Sequence, residues 1–227
     1  MHCKQSVLVS VQEVGDELAE REARGQARAF DAMQAHDALL LLRLLADVDL
    51  NVPAPERARL TAVQALGDLG DAAALPALQA LLASPALGGA AEASMWSCFM
   101  AAPDAEAAAL LRRGMALMAR AETMRAAVDA FRELAVERPL WAEAHNKLAT
   151  ALYMVDENAP SAGACRAALA LNPFHFGAAS GMGIVLGNLG LYAEAIAALE
   201  LAMRINPRLA HLRAHVAQLQ QLARERE

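Results

Sequence analysis

Three prolines, Pro139, Pro173 and Pro207, recur with a 34-residue period, and each closes an Ala-rich, Leu-rich helical pattern. A period of this length marks a stack of helix pairs, none of which can bury its apolar face alone. Two Tyr, two Trp and five Phe in 227 residues leave a β-sheet short of the aromatic residues it favours, while the Ala and Leu content suits closely spaced helices. The expected fold class is all-α, an array of helical repeats.

Ahead of the periodic part, residues 1–14 show a brief alternation at Val7, Val9 and Val11 that is too isolated to find a sheet, so a flexible leader is expected. Residues 16–47 turn helical, and Asn51, Pro53 and Pro55 then supply turn chemistry. Next, the pattern predicts a helix over 56–66, a tight turn at 67–71 and a helix over 72–83. Gly67 and Gly70 are suited to ending the first helix, and Asp71 to capping the second. Arg57, Ala62, Leu66, Gly67, Gly70, Asp71, Leu78, Leu81 and Leu82 in this segment resemble a HEAT repeat. A further helix carrying Met95, Trp96 and Phe99 is expected over 89–101.

From residue 103 the chain resembles the tetratricopeptide repeat family, which implies a right-handed α/α superhelical solenoid. The third unit, 176–209, matches at Met182, Gly183, Leu186, Gly190, Tyr192, Ala195, Leu199, Ala202 and Pro207. The second, 142–175, matches at Leu148, Ala149, Leu152, Ser161, Cys165, Ala168 and Pro173. The first, 107–140, matches at Leu110, Gly114, Leu117, Ala127, Phe131, Leu134 and Pro139, but with one extra residue in its turn, near Ala121. Within the family, residues 172–190 look like a subgroup of small repeat proteins from bacteria and from plant and algal plastids. The expected organisation is a leader (1–14), a HEAT-like region (15–102) and a tetratricopeptide domain (103–227) of three repeats with a final capping helix from 211.

Several function classes fall away on composition. The net charge is −6 and the basic residues are scattered, so there is no basic stripe for nucleic acid. Cys3, Cys98 and Cys165 form no CxxC, which argues against a disulfide framework or zinc site and for a reducing compartment. The longest apolar run, 39–45, is broken by Arg43 and is too short to span a bilayer. The first residues resemble neither a signal nor a transit peptide. A soluble intracellular protein is expected, cytoplasmic or, if a leader has been removed, organellar, in a plastid.

No chemistry-bearing constellation emerges. His211 and His215 share a helix face but lack a third metal ligand, and neither Cys98 nor Cys165 has a local His or acid partner. No nucleophile elbow, phosphate loop or dinucleotide fingerprint is present. No enzyme, metal or cofactor is expected. Gly177, Gly181 and Gly187 have two open explanations, small-residue packing or room for a ligand.

The family resemblance implies a concave groove lined by the first helix of each unit. By position its lining is Met115, Met118, Asn146, Lys147, Thr150, Tyr153, Ser180, Ile184, Asn188 and His211. Met adapts to irregular apolar side chains, and Asn, Thr, Ser and Tyr hydrogen-bond to backbone. The implied role is a non-enzymatic adaptor or assembly factor holding a partner protein or peptide there. The alternative is a constitutive subunit of a larger complex, docking through its N-terminal helices, with residues 39–45, Trp96 and Phe99 as contacts, or through its convex face. The chaperone-tail clamp of the family is not expected, because Leu111, Met115, Gly177 and Gly181 stand where its cationic and amide residues belong.

Overall fold

The computed structural model describes residues 56–225, which divide after Ala101 into two compact units. Among the described residues there are ten α-helices and no strand. The expected leader, the helical pattern at 16–47 with its apolar run, and the turn at 51–55 lie outside the described residues.

In the first unit, helices α1 (Glu56–Leu69) and α2 (Leu75–Leu81) both pack on α3 (Gly88–Met100). Helix α1 runs one turn past its expected end at 66, because Gly67 is not the terminator. A Cβ there would meet Ser94 Cβ at 2.7 Å, so Gly67 is a contact point between α1 and α3. Ser94 Oγ donates to Val63 O across the same contact, at 2.8 Å. The chain turns instead at Gly70, whose φ of +66° is cheap only without a side chain. Asp71 then caps as expected, its Oδ1 accepting from Ala73 N at 2.9 Å, but the cap opens a short 3-10 turn before α2. Phe99 lies in the core with Leu66, Leu78 and Met95, so it offers no surface for docking.

The second unit is a run of helix pairs. They are α4 (Ala105–Met118) with α5 (Met124–Glu137), α6 (Ala142–Met154) with α7 (Asn158–Leu171), and α8 (Phe176–Asn188) with α9 (Tyr192–Ile205), closed by α10 (Leu212–Arg224). Each helix packs on the one before it and the one after it, and α6 also touches α8. The starts of α6 and α8, and likewise of α7 and α9, keep the interval that separates the prolines.

Local chemistry sets the ends. Each of α5, α7 and α9 stops before a proline, which has no amide hydrogen and pushes its predecessor out of the helical region. Asn172 and Asn206 take extended backbone rather than the left-handed conformation. Their side chains are used instead: Oδ1 of each accepts the amide two residues on, Phe174 N and Arg208 N, at 3.0 Å. In the first pair Arg138 takes this place and reaches back to the start of α4. Its Nε lies 2.8 Å from Asp104 Oδ2, and its Nη2 lies 2.8 Å from Glu106 Oε2. The Arg138 hydrogen bond, helped by the Ala107 amide that Asp104 caps, lowers the Asp104 carboxyl to about 2.

In the first and third pairs, the two helices approach through a glycine on the first facing a large residue on the second. A Cβ on Gly183 would lie 2.5 Å from Leu199 Cγ, and one on Gly114 would lie 2.4 Å from Phe131 Cε1. The contact in the first pair spans one position more of chain than that in the third, so the extra residue expected near Ala121 is present. It is taken up by a 3-10 turn, Ala121–Thr123, that Thr123 Oγ1 ties to Leu117 O.

Glycine substitutions should separate tight contacts from open helix surface. Gly183→Ala has no room against Leu199 and should cost about 1–3 kcal/mol by overpacking, whereas Gly163→Ala, with nothing within 4 Å, should gain up to about 1 kcal/mol of helix propensity. Urea denaturation of both variants reads the contrast. The turn after α6 holds Asp156 at φ 63°, where its counterpart after α8 is Gly190 at φ 75°. Asp156→Gly should therefore raise stability by up to about 1 kcal/mol in the same assay, by relieving a left-handed residue.

Candidate functional site

The first helices of the three pairs, α4, α6 and α8, carry nine of the ten residues expected to line a groove. On α4, Met115 is 40% exposed and Met118 half-buried. On α6, Tyr153 is 37% exposed and Thr150 is exposed, its Oγ1 donating to Asn146 O at 3.0 Å. On α8, Ser180 and Ile184 are half-buried, and Ser180 Oγ donates to Gly177 O at 3.0 Å. Asn188 is exposed, but its Nδ2 donates to Asn158 Oδ1 at 3.1 Å, tying α8 to α7. His211 is exposed at the N-cap position of α10.

The remaining two, Asn146 and Lys147, converge on a residue the sequence reading did not single out. Glu143, on the first turn of α6, is fully buried. Asn146 Nδ2 donates to its Oε2 at 3.0 Å, and Lys147 Nζ lies 3.1 Å from Oε1. The Lys147 contact is an ion pair without hydrogen-bond geometry, so Oε1 accepts no hydrogen bond among the described residues. The fourth member, His175, comes from the loop before α8 and is also fully buried, with Nε2 2.7 Å from Glu143 Oε2.

The ring's other nitrogen fixes its tautomer. His175 is the N-cap of α8, and its Nδ1 accepts the amide of Ala178 at 3.1 Å. An Nδ1 that accepts carries no hydrogen, so the ring hydrogen sits on Nε2 and is donated to Glu143. Burial by itself would raise the Glu143 carboxyl. The His175 hydrogen bond and the Lys147 charge outweigh it, and the net direction is down. This His and acid pair resembles a catalytic dyad, yet both ring nitrogens are engaged within the protein.

The other candidate chemistry is likewise enclosed. Burial pushes the Cys98 thiol up to about 11 and the Cys165 thiol up to about 12, far from a reactive thiolate. Close packing accounts for Gly183 and Gly187 of α8, while Gly181 has room for a Cβ. A Cβ on Gly187 would lie 3.1 Å from Leu219 Cδ2 of α10, and one on Gly181 would lie 3.7 Å from Cys165 Sγ of α7. Among the described residues no three His, Cys, Asp or Glu side chains are grouped to hold a metal, and no helix is long and apolar enough to cross a membrane.

No family model and no curated protein matches the sequence. Solved structures to which the chain is similar include the TPR2AB-domain:pHSP90 complex of yeast Sti1, at 16% identity over 94% of this chain and 85% of that one, with a TM-score of 0.47. MamA is similar at 20% identity over 68% and 93%, TM-score 0.43, and a TPR protein of Thermus thermophilus at 19% over 93% and 99%, TM-score 0.39. The deciding features are internal: helix pairs with a 34-residue repeat, and Gly114 and Gly183 on the first helix facing Phe131 and Leu199 on the second. The second unit has the stacked helix pairs expected of a tetratricopeptide repeat. One polar cluster joins its second helix pair to the third.

Glu143→Gln tests that cluster. A carboxyl held low in the folded state contributes stability above its unfolded value and loses it as pH falls through the folded one. In the variant, Lys147 faces no charge, so stability at neutral pH should drop by about 3 kcal/mol. The fall in stability on acidification should also become shallower than in wild type, as urea titrations across pH would measure.

Proposed function

We propose that residues 105–225 act as a non-enzymatic adaptor that holds a segment of a partner protein against the face made by α4, α6 and α8. The observation that carries this reading is the exposure of large adaptable side chains, Met115 and Tyr153, on neighbouring first helices. Leaving such groups in water favours their burial by a partner, and Met and Tyr adapt to varied apolar surfaces.

Recognition on this face is chiefly apolar. The hydroxyl hydrogens of Thr150 and Ser180 go to carbonyls of their own helices, and Asn146 is committed to Glu143. Met115, Met118, Tyr153 and Ile184 remain to contact the partner, with Lys147 at the edge. An amphipathic segment with its apolar side inward suits that arrangement.

A second reading, docking as a subunit of a larger complex, draws support from Val136 and Leu140. They are 74% and 84% exposed, at the end of α5 and in the loop after it, and neither belongs to the first-helix face.

Affinity co-purification with quantitative mass spectrometry separates the two readings, once circular dichroism shows each variant to be helical. A protein retained by wild type and by Val136→Ser/Leu140→Ser but lost at least tenfold by Met115→Ala/Tyr153→Ala is the expected result. The opposite pattern would move the docking site to the α5 end.

A further inference from the structure

We propose that His175 is an acid-operated latch on α8: at neutral pH it caps the helix, and on protonation it leaves the cap and pairs as a cation with Glu143. The inference is independent of what binds to the first-helix face.

The argument starts from the two ring nitrogens. Nδ1 accepts the amide of Ala178, three residues after the N-cap, which is otherwise one of the orphan donors of the first turn. Nε2 lies 2.7 Å from Glu143 Oε2. A proton arriving from solvent has one place to go on the ring, Nδ1, and once there it faces the Ala178 amide donor to donor. The capping bond is then lost. The bond to Glu143 becomes an ion pair between imidazolium and carboxylate.

The charged neighbours set the balance. From α6, Glu143 favours the imidazolium, while Lys147, 3.1 Å from that carboxylate, opposes it. The positive end of α8 opposes it as well. Helix α6 also carries His145, whose Nε2 lies 2.9 Å from Pro139 O. On α7, Arg166 lies 3.8 Å from Glu194 of α9, and Cys165 is held as a neutral thiol. The proton therefore breaks one of the ring's two contacts, the cap on Ala178, and keeps the other, to Glu143. The part that gives way is the first turn of α8, a helix of the proposed binding face, while the link from α6 to the loop before α8 is retained.

Nitrogen-15 NMR of the wild-type chain reads the whole sequence of events. At neutral pH, long-range ring spectra should show His175 with its hydrogen on Nε2. On acidification, the exchange protection of the Ala178 amide, corrected for the intrinsic effect of pH, should fall at least tenfold as the ring becomes imidazolium. The Ala198 amide in α9 should keep its protection. His175→Asn, which caps with a carbonyl oxygen and does not titrate, should hold Ala178 protected over the same range.

An Nδ1–H tautomer at neutral pH would overturn the proposal. So would Ala178 protection that is indifferent to ring protonation, or an Asn variant that follows the wild-type pH course. Loss of Ala178 and Ala198 protection in one global transition would also count against it.

Discussion

The second unit depends on how closely the two helices of each pair approach. Gly183 lies under Leu199, and Gly114 under Phe131, with no space for even a methyl group between them. A glycine inside a helix costs about 1 kcal/mol relative to alanine, and the packing of a large side chain directly on backbone offsets it. Helix α8 takes this furthest, since Gly187 admits Leu219 of α10 on another side. The capping helix thereby completes a core of Leu186, Leu199, Val216 and Leu219 that α8 and α9 leave open.

Apolar contacts of this kind hold a pair together but do little to specify how one pair is set against the next. The Glu143 cluster supplies that information. A buried carboxylate with one ammonium and two hydrogen bonds roughly breaks even as a source of stability, because desolvation consumes the Coulomb gain. Its effect is to require one stacking geometry. His175 reaches Glu143 and caps α8 only when the second and third pairs sit in this register. The cluster also buries Asn146, one of the residues expected to line the groove, and commits its amide to Glu143.

Much of the helical framework is legible because its signals are local. Pro139, Pro173 and Pro207 stop helices wherever they occur, Asp71 caps the turn after it, and the extra residue near Ala121 can be counted from spacing. Gly67 misleads, since a glycine near a helix end reads as a terminator unless Ser94, far along the chain, is known to press against it. The asparagines before Pro173 and Pro207 mark helix ends as expected but use a different device: their side chains accept amides while their backbones stay extended. On the candidate face, position along α4, α6 and α8 is readable. Availability is not, because it depends on partners beyond each helix. Glu143 does leave one trace, standing three and four residues before Asn146 and Lys147 on one helix face.

By itself the sequence determined the all-α class, the 34-residue period and most helix ends, because each of these arises from steric and hydrogen-bonding preferences acting within a few residues. The tertiary structure alone decided which of the expected lining residues are engaged within the protein. Glu143 and His175 are far apart in the chain and meet only after two helix pairs have stacked. Whether a polar side chain faces water or a buried partner is settled by that stacking.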